Sequence, residues 1–263
     1  MRAYIKGLLL TIQFFSIVPI RRELPMDAFH LGRAFRTFPF FGLVKGAIYG
    51  SVFWALTEFS PLSTVAIAFI IWILTIIVTG GLHLDGWMDV SDAYFSYRDR
   101  EKRLEIMTDS RIGAFGVLSI IVFLASRFLF IYELTNHISE FTFLYIMLIP
   151  FFSKICMGLL LALEPSAKQS GIAHYFKKGV DRTLPIVYAG YLLLVGVMVY
   201  LISQEIMVYV VFLLMTLLFW AFARKKTKQH FGGITGDLLG ASIEGTENLL
   251  WMILWLWHYI AMG

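Results

Sequence analysis

Residues 62–81 read Leu62-Ser63-Thr64-Val65-Ala66-Ile67-Ala68-Phe69-Ile70-Ile71-Trp72-Ile73-Leu74-Thr75-Ile76-Ile77-Val78-Thr79-Gly80-Gly81, and the chain continues Leu82-His83-Leu84-Asp85-Gly86-Trp87-Met88-Asp89-Val90-Ser91-Asp92. The first stretch carries no charged side chain, and about 20 apolar helical residues suffice to cross roughly 30 Å of hydrocarbon. The second places carboxylates at i, i+4 and i+7, which at about 100° per residue share one helical face within an arc of roughly 60°. An apolar span that ends in a row of acids is the unit that decides the fold.

The rest of the 263-residue chain repeats the apolar half of that unit. Hydrophobic residues make up 59% of it and charged residues 15%, against about 25% charged in an average soluble domain. The bilayer is therefore the expected solvent. Candidate spans fall at 37–57, 62–81, 113–132, 141–163, 184–203, 205–223 and 248–262. The last carries Trp251, Trp255, Trp257 and Tyr259, which suit an interfacial belt. The expectation is an all-α, polytopic integral membrane helical bundle of about seven transmembrane helices. The first apolar run, from Ile5 to Ile20, ends at Pro19 and Arg21-Arg22 without a small-residue cleavage pattern, so it reads as retained, either spanning or re-entrant. No internal repeat, low-complexity tract or flexible linker divides residues 1–263, which read as a single membrane-embedded catalytic domain.

A net charge of +4 invites a nucleic-acid reading, but the basic residues form separated clusters between apolar runs and not one stripe, so no nucleic-acid partner is expected. Lysine and arginine concentrate in 21–36, 82–112, 164–183 and 224–247, while the remaining connections hold Glu58, Glu133, Glu140 and Glu205 and no basic residue. The positive-inside rule then puts the four basic connections in the cytoplasm of a multi-pass protein of the cytoplasmic (inner) membrane, with the lipid bilayer as partner and self-association into a homo-oligomer left open. The single cysteine, Cys156, sits in an apolar run and reads as a small buried hydrophobe.

Two of the basic connections, 82–112 and 224–247, are long and rich in carboxylates and glycines, and they read as cytoplasmic active-site loops. Asp85, Asp89 and Asp92 stacked on one face repel one another unless a cation intervenes. Carboxylates with water and phosphate oxygens are the usual ligands of Mg²⁺, and two such ions about 4 Å apart can clamp a phosphoryl displacement. The plain alternative is a solvated acidic helix end, although acids at the edge of hydrocarbon tend to be functional. Arg98, Arg100, Arg103 and Arg111, with Asp109, follow within the same loop. Their guanidinium groups suit phosphate oxygens, and equally a topogenic or lipid-headgroup cluster. His83 is either a ligand or proton acceptor, or a hydrogen-bonded structural residue. In the second loop, Gly232, Gly233, Gly236 and Gly240 surround Thr235 and Asp237. Their backbone N–H groups can approach an anion, and Asp237, Glu244 and Glu247 can complete a cation site. The plain alternative there is a helix cap followed by a small-residue packing face. The loop lacks the Gly-Lys-Ser/Thr ending of a P-loop, so Walker-type ATP hydrolysis is not supported.

These segments also carry a resemblance. Gly80 to Asp92 resembles the Gly-Gly-Leu-His-Leu-Asp-Gly-x-x-Asp-x-x-Asp segment of the cobalamin synthase (adenosylcobinamide-GDP ribazoletransferase) family. Leu104 to Gly116 is similar to that family's next block and Gly232 to Ala241 to its C-terminal one, with weaker matches at Gln13-Phe14-Phe15, Pro19 and Phe38 to Gly42. Ser153-Lys154 departs from an expected Ser-Arg-like pair, and Glu164 to Lys168 follows the family only loosely. The resemblance implies transfer of an adenosylcobinamide-phosphate group from adenosylcobinamide-GDP to α-ribazole or its 5′-phosphate, with release of GMP. On that reading Asp85, Asp89, Asp92 and Asp237 hold Mg²⁺, and Asp237 or His83 acts as base. Arg98, Arg100, Arg103 and Arg111 meet phosphate, and Asp109, Gly233, Thr235 and Gly236 line the substrate. A CDP-alcohol phosphotransferase also pairs helical aspartates with metals, but its signature needs Ala-Arg after the second aspartate and this chain has Ser91-Asp92-Ala93-Tyr94. A transporter is the other rival, because Lys45, Arg127 and Lys154 lie within or near spans.

Overall fold

Backbone exposed to hydrocarbon must pair its own polar groups, so apolar runs become helices. The computed structural model describes residues 2–109 and 111–262. Among them the chain forms α1 (Arg2–Phe15), α2 (Ala28–Phe59), α3 (Thr64–Ile77), α4 (Leu82–Phe95), α5 (Arg100–Ile106), α6 (Ala114–Asn136), α7 (Thr142–Leu163), α8 (Ile172–Lys177), α9 (Leu184–Ser203), α10 (Met207–Phe231) and α11 (Gly236–Met262). The all-helical class is as expected, and the one extended pairing among the described residues is an isolated parallel bridge between Ser166 and Ile234.

The spans differ from the expectation in detail. α2, α6, α7, α9 and α10 are long and apolar enough to cross a membrane, and the α3–α4 pair makes a sixth only if counted across a bend of 81°. The run 62–81 is therefore not one straight span. α3 ends at Ile77, and Gly80 and Gly81 turn the corner at φ 64° and 78°, a left-handed conformation that a Cβ would strain. α4, which bears the acids, is turned away from α3 and is not by itself among the helices that pass as spans. α1 is 14 residues long, roughly 21 Å, which is short of a bilayer. It packs along α2, where Gly7 lets its backbone approach Arg33 and Ala34. α11 runs without a break from the acidic segment into the expected span 248–262, and at 27 residues it is not among the helices that pass as spans. The two segments read as loops are thus mostly helix.

The core sits where α2, α7 and α11 meet. Gly42, Gly46 and Gly50 repeat every fourth residue on α2, and a Cβ at any of them would collide with the α7 carbonyls of Pro150, Met147 or Phe143. Small residues at that spacing let two helix backbones lie close in a membrane bundle. Deep in this interior Lys45 of α2 pairs with Glu247 of α11 at 2.8 Å, and Arg127 of α6 pairs with Glu244 of α11 at 2.8 Å. Ser153 of α7 donates to Glu247 at 2.9 Å. These contacts give Lys45 and Arg127, two of the three ionisable residues that suggested transport, a place in packing.

The four basic connections gather at one end of the bundle. Arg36 pairs with Asp181 at 2.6 Å, Lys168 donates to the Leu104 carbonyl at 2.9 Å, and the Ala167 N–H donates to the Ile234 carbonyl at 2.9 Å. Glu58 and Glu140 line one cavity at the opposite end. The charge asymmetry legible in the loops is therefore an asymmetry of the folded molecule.

Candidate active site

The acid row forms as its spacing predicts. Asp85, Asp89 and Asp92 all lie within α4. Two helices position them. On α11, the backbone of Asp237 lies so close to Gly86 that a Cβ there would sit 2.8 Å from the Asp237 carbonyl oxygen. Gly240 likewise faces His83, with a Cβ 3.3 Å from the His83 Cα. One glycine from each helix thus brings Asp237 against the α4 row. On the other side, Asp92 receives the Gly113 N–H at 2.8 Å and the Gly116 N–H at 2.9 Å, one on each carboxylate oxygen. A carboxylate at a helix N-terminus satisfies orphan donors and complements the dipole, so Asp92 caps α6.

The carboxylates act on one another. Asp89 is pushed up to about 7, first by burial and then by Asp85, Asp237 and Asp92. Burial is also the main cause that raises Asp237, with Asp85 adding to it. No ion pair joins Asp85, Asp89, Asp92 or Asp237 to a basic residue among the described residues. Nor do three ligand-type side chains there converge closely enough to enclose a metal ion by themselves. The donor set is oxygen only, which suits a hard divalent cation, and Mg²⁺ usually takes one or two carboxylates and completes its shell with water and phosphate. The residues therefore fit Mg²⁺ as a shared ligand of protein and substrate, not as a caged ion.

Beside the row opens a cavity of 610 Å³ lined by Asp89, Asp92, Arg98, Asp109, Arg111 and Gly113. Asp109 grips Arg111 in a bidentate contact at 2.7–3.1 Å, and that guanidinium holds its carboxyl down at about 2. Arg98 and Arg111 are both exposed at the mouth.

Other candidates from the sequence go elsewhere. His83 is 2% exposed, lies roughly 160° around α4 from Asp85, and sits between Phe15 and Glu244 with neither ring nitrogen bonded. It faces the bundle interior, on the side of α4 away from the acid row. Glu244 and Glu247, read as completing the cation site, are instead bound to Arg127 and Lys45. Arg100 reaches the Ala167 carbonyl at 3.3 Å. Arg103 is buried against Tyr94, its guanidinium 5.7 Å from the ring centre, behind α4 and away from the acids. Gly233 presses on Pro165 to Ala167, so the turn before α11 and the 165–168 loop form one clamp. Thr235 accepts the Leu238 N–H at 3.2 Å and donates to Asp237 at 3.4 Å, and Gly236 opens the helix. The role of Asp92 as a cap and the 165–168 clamp had no local signal, because each depends on residues distant in sequence.

A polytopic helical membrane protein with an unneutralised acidic face at its basic end is the class that this fold and site define. The model of the cobalamin-5-phosphate synthase family matches residues 7–255, and the chain belongs to that family. It is 41% identical to the adenosylcobinamide-GDP ribazoletransferase of Geobacillus sp. (strain WCH70), with 97% of each chain covered. It is 37% identical to the protein of the same name from Halalkalibacterium halodurans, again with 97% of each covered. The one from Clostridium tetani is 33% identical over 95% of this chain and 96% of its own. No solved structure is significantly similar to it.

Proposed function

We propose that the protein transfers the adenosylcobinamide-phosphate group from adenosylcobinamide-GDP to α-ribazole, or to its 5′-phosphate, as a late step in making cobalamin. A ribose hydroxyl that is free both in α-ribazole and in its 5′-phosphate attacks the phosphorus attached to cobinamide, the bond from that phosphorus to the GMP oxygen breaks, and the products are adenosylcobalamin, or its 5′-phosphate, and GMP. Family membership carries the substrate. The acid row beside a cavity with two exposed arginines supports the chemistry. Arg98 and Arg111 hold the transferred phosphate and the departing GMP, because planar guanidinium groups match phosphate oxygens. Asp237, half-buried beside Asp85 and raised by burial, takes the proton of the attacking hydroxyl. Asp85 and Asp89 would hold Mg²⁺ together with substrate phosphate oxygens, and Asp92 would contribute to the extent that its two backbone bonds allow. When bound, Mg²⁺ neutralises charge on the phosphate oxygens and on leaving GMP.

The protein lies in the cytoplasmic membrane with its basic end, and therefore the acid row, toward the cytoplasm, in keeping with the distribution of lysine and arginine. The test is turnover by protein in lipid vesicles supplied with adenosylcobinamide-GDP and α-ribazole, following GMP and cobalamin. Formation of both, dependent on Mg²⁺, is expected. Folded protein that releases no GMP would overturn the reading.

A further inference from the structure

On the face of α4 opposite the acids, three basic groups surround one tyrosine. Lys226 donates to the Tyr94 hydroxyl at 2.9 Å. The Arg103 guanidinium lies 5.7 Å from the centre of the Tyr94 ring, and the His230 ring lies 5.0 Å from it. No ion pair joins any of the three to a carboxylate among the described residues. Arg103 is buried, and its Nε and one terminal nitrogen have no hydrogen-bond partner. A guanidinium taken from water without an anion or acceptor is costly, so the cluster is built to meet negative charge.

Directly beneath it, between α4, α10 and α11, runs a cavity of 340 Å³ lined by Trp87, Tyr94, Phe219, Phe222, Lys226 and Leu238 among others. A second cavity of 660 Å³ adjoins it across Trp87, Ser91, Phe95 and Phe219 and continues along α6. Gly245 makes the floor, since both Trp87 and Phe219 rest on it. The rim faces outward from the bundle, with Phe222 56% and Phe95 40% exposed. Lys226 is the one charged residue in either lining. An apolar slot beside a membrane span fills with hydrocarbon and not with water, and the basic group at its polar end selects the head attached to that hydrocarbon.

We infer that the slot between α4, α10 and α11 holds an acidic membrane phospholipid, its phosphate against Arg103, Lys226 and His230 and an acyl chain along Trp87, Phe219 and Phe222. The site lies behind the helix that carries the acid row, so it is separate from the substrate cavity and does not depend on the substrate reading. Its effect is to wedge α4 against α11 from the membrane side. Arg103 and the exposed Arg98 stand five residues apart in the chain and serve opposite faces of α4.

The test compares lipid retained by detergent-extracted protein after reconstitution in phosphatidylcholine vesicles with and without phosphatidylglycerol, read by mass spectrometry. Wild type is expected to retain phosphatidylglycerol selectively. Lys226→Gln should lower that selectivity about fivefold, because one lysine at an acidic lipid surface is worth about 1 kcal/mol, and Lys226→Arg should keep it. Ala241→Leu, which fills the slot without touching charge, should expel both lipids. A homogeneous elution profile for each variant shows that it has folded. Equal retention of the two lipids by wild type, or unchanged retention in Lys226→Gln and Ala241→Leu, would overturn the inference. So would displacement of the acidic lipid by excess adenosylcobinamide-GDP, which would return the cluster to the substrate.

Discussion

α11 carries two sets of carboxylates that meet opposite fates. Glu244 and Glu247 are both about 1% exposed, and each is bound to a buried cation from another helix. Asp237, two turns earlier, faces Asp85 and Asp89 and makes no ion pair among the described residues. The residue chemistry is nearly the same, so the partner decides the role. A paired buried acid ties helices together, whereas a group of unpaired acids keeps a charge deficit that a cation or a substrate ion must fill. The contrast also explains why the two sets can lie so close on one helix: the inner set is neutralised within the bundle, and only the outer set is left for ligand.

That contrast can be broken from the inner side first. Lys45→Met strands Glu247 in the core and should cost about 3–5 kcal/mol of stability, while Lys45→Met with Glu247→Leu should recover most of it. Unfolding in mixed micelles measures both, and a double variant as unstable as the single one would deny that pairing is what the inner acids do. On the outer side, Asp89→Asn should lower turnover roughly 10²–10³-fold with no loss of stability, since it relieves repulsion from Asp85, Asp237 and Asp92. Gly86→Ala adds a Cβ 2.8 Å from the Asp237 carbonyl and prises α4 from α11. Its turnover should fall roughly tenfold, within the range that small misplacements cause, with a loss of about 1–3 kcal/mol of stability from the overpacked contact.

The smallest effect is on pH. Asp89 is raised in the folded state from 3.8 to about 7. A group with a raised folded pKa contributes stability that is present below its unfolded value and is lost as pH rises through the folded one. Metal-free protein should therefore lose stability between about pH 4 and about pH 7, and Asp89→Asn should flatten that slope. A wild-type slope that persists in the variant would move the effect to another group.

Much of this was legible in the sequence because it is local. Apolar runs set the helices, the i, i+4, i+7 spacing set the acid row, and Gly80-Gly81 marked the end of a span. What the glycines do together, an 81° turn that lays α4 aside, is a backbone property that composition does not reveal. The roles of Glu244 and Glu247 were hidden because their partners, Arg127 and Lys45, lie 117 and 202 residues away. His83 looked chemical beside Asp85, but two residues along a helix is nearly the opposite face. Arg98 and Arg103 looked like one cluster until α5 separated them. Ser153-Lys154, which departed from the family pattern, lies in the interior, where Ser153 serves Glu247 and Lys154 is fully buried.

The most direct test of the central claim is divalent-metal binding, followed by Mn²⁺ resonance on purified protein in lipid with adenosylcobinamide-GDP bound. Wild type should bind Mn²⁺, Asp85→Asn and Asp89→Asn should each lose most of that binding, and the paired variant Arg127→Met with Glu244→Leu should keep it. Binding that survives in both aspartate variants but vanishes in the Arg127 and Glu244 pair would contradict the account.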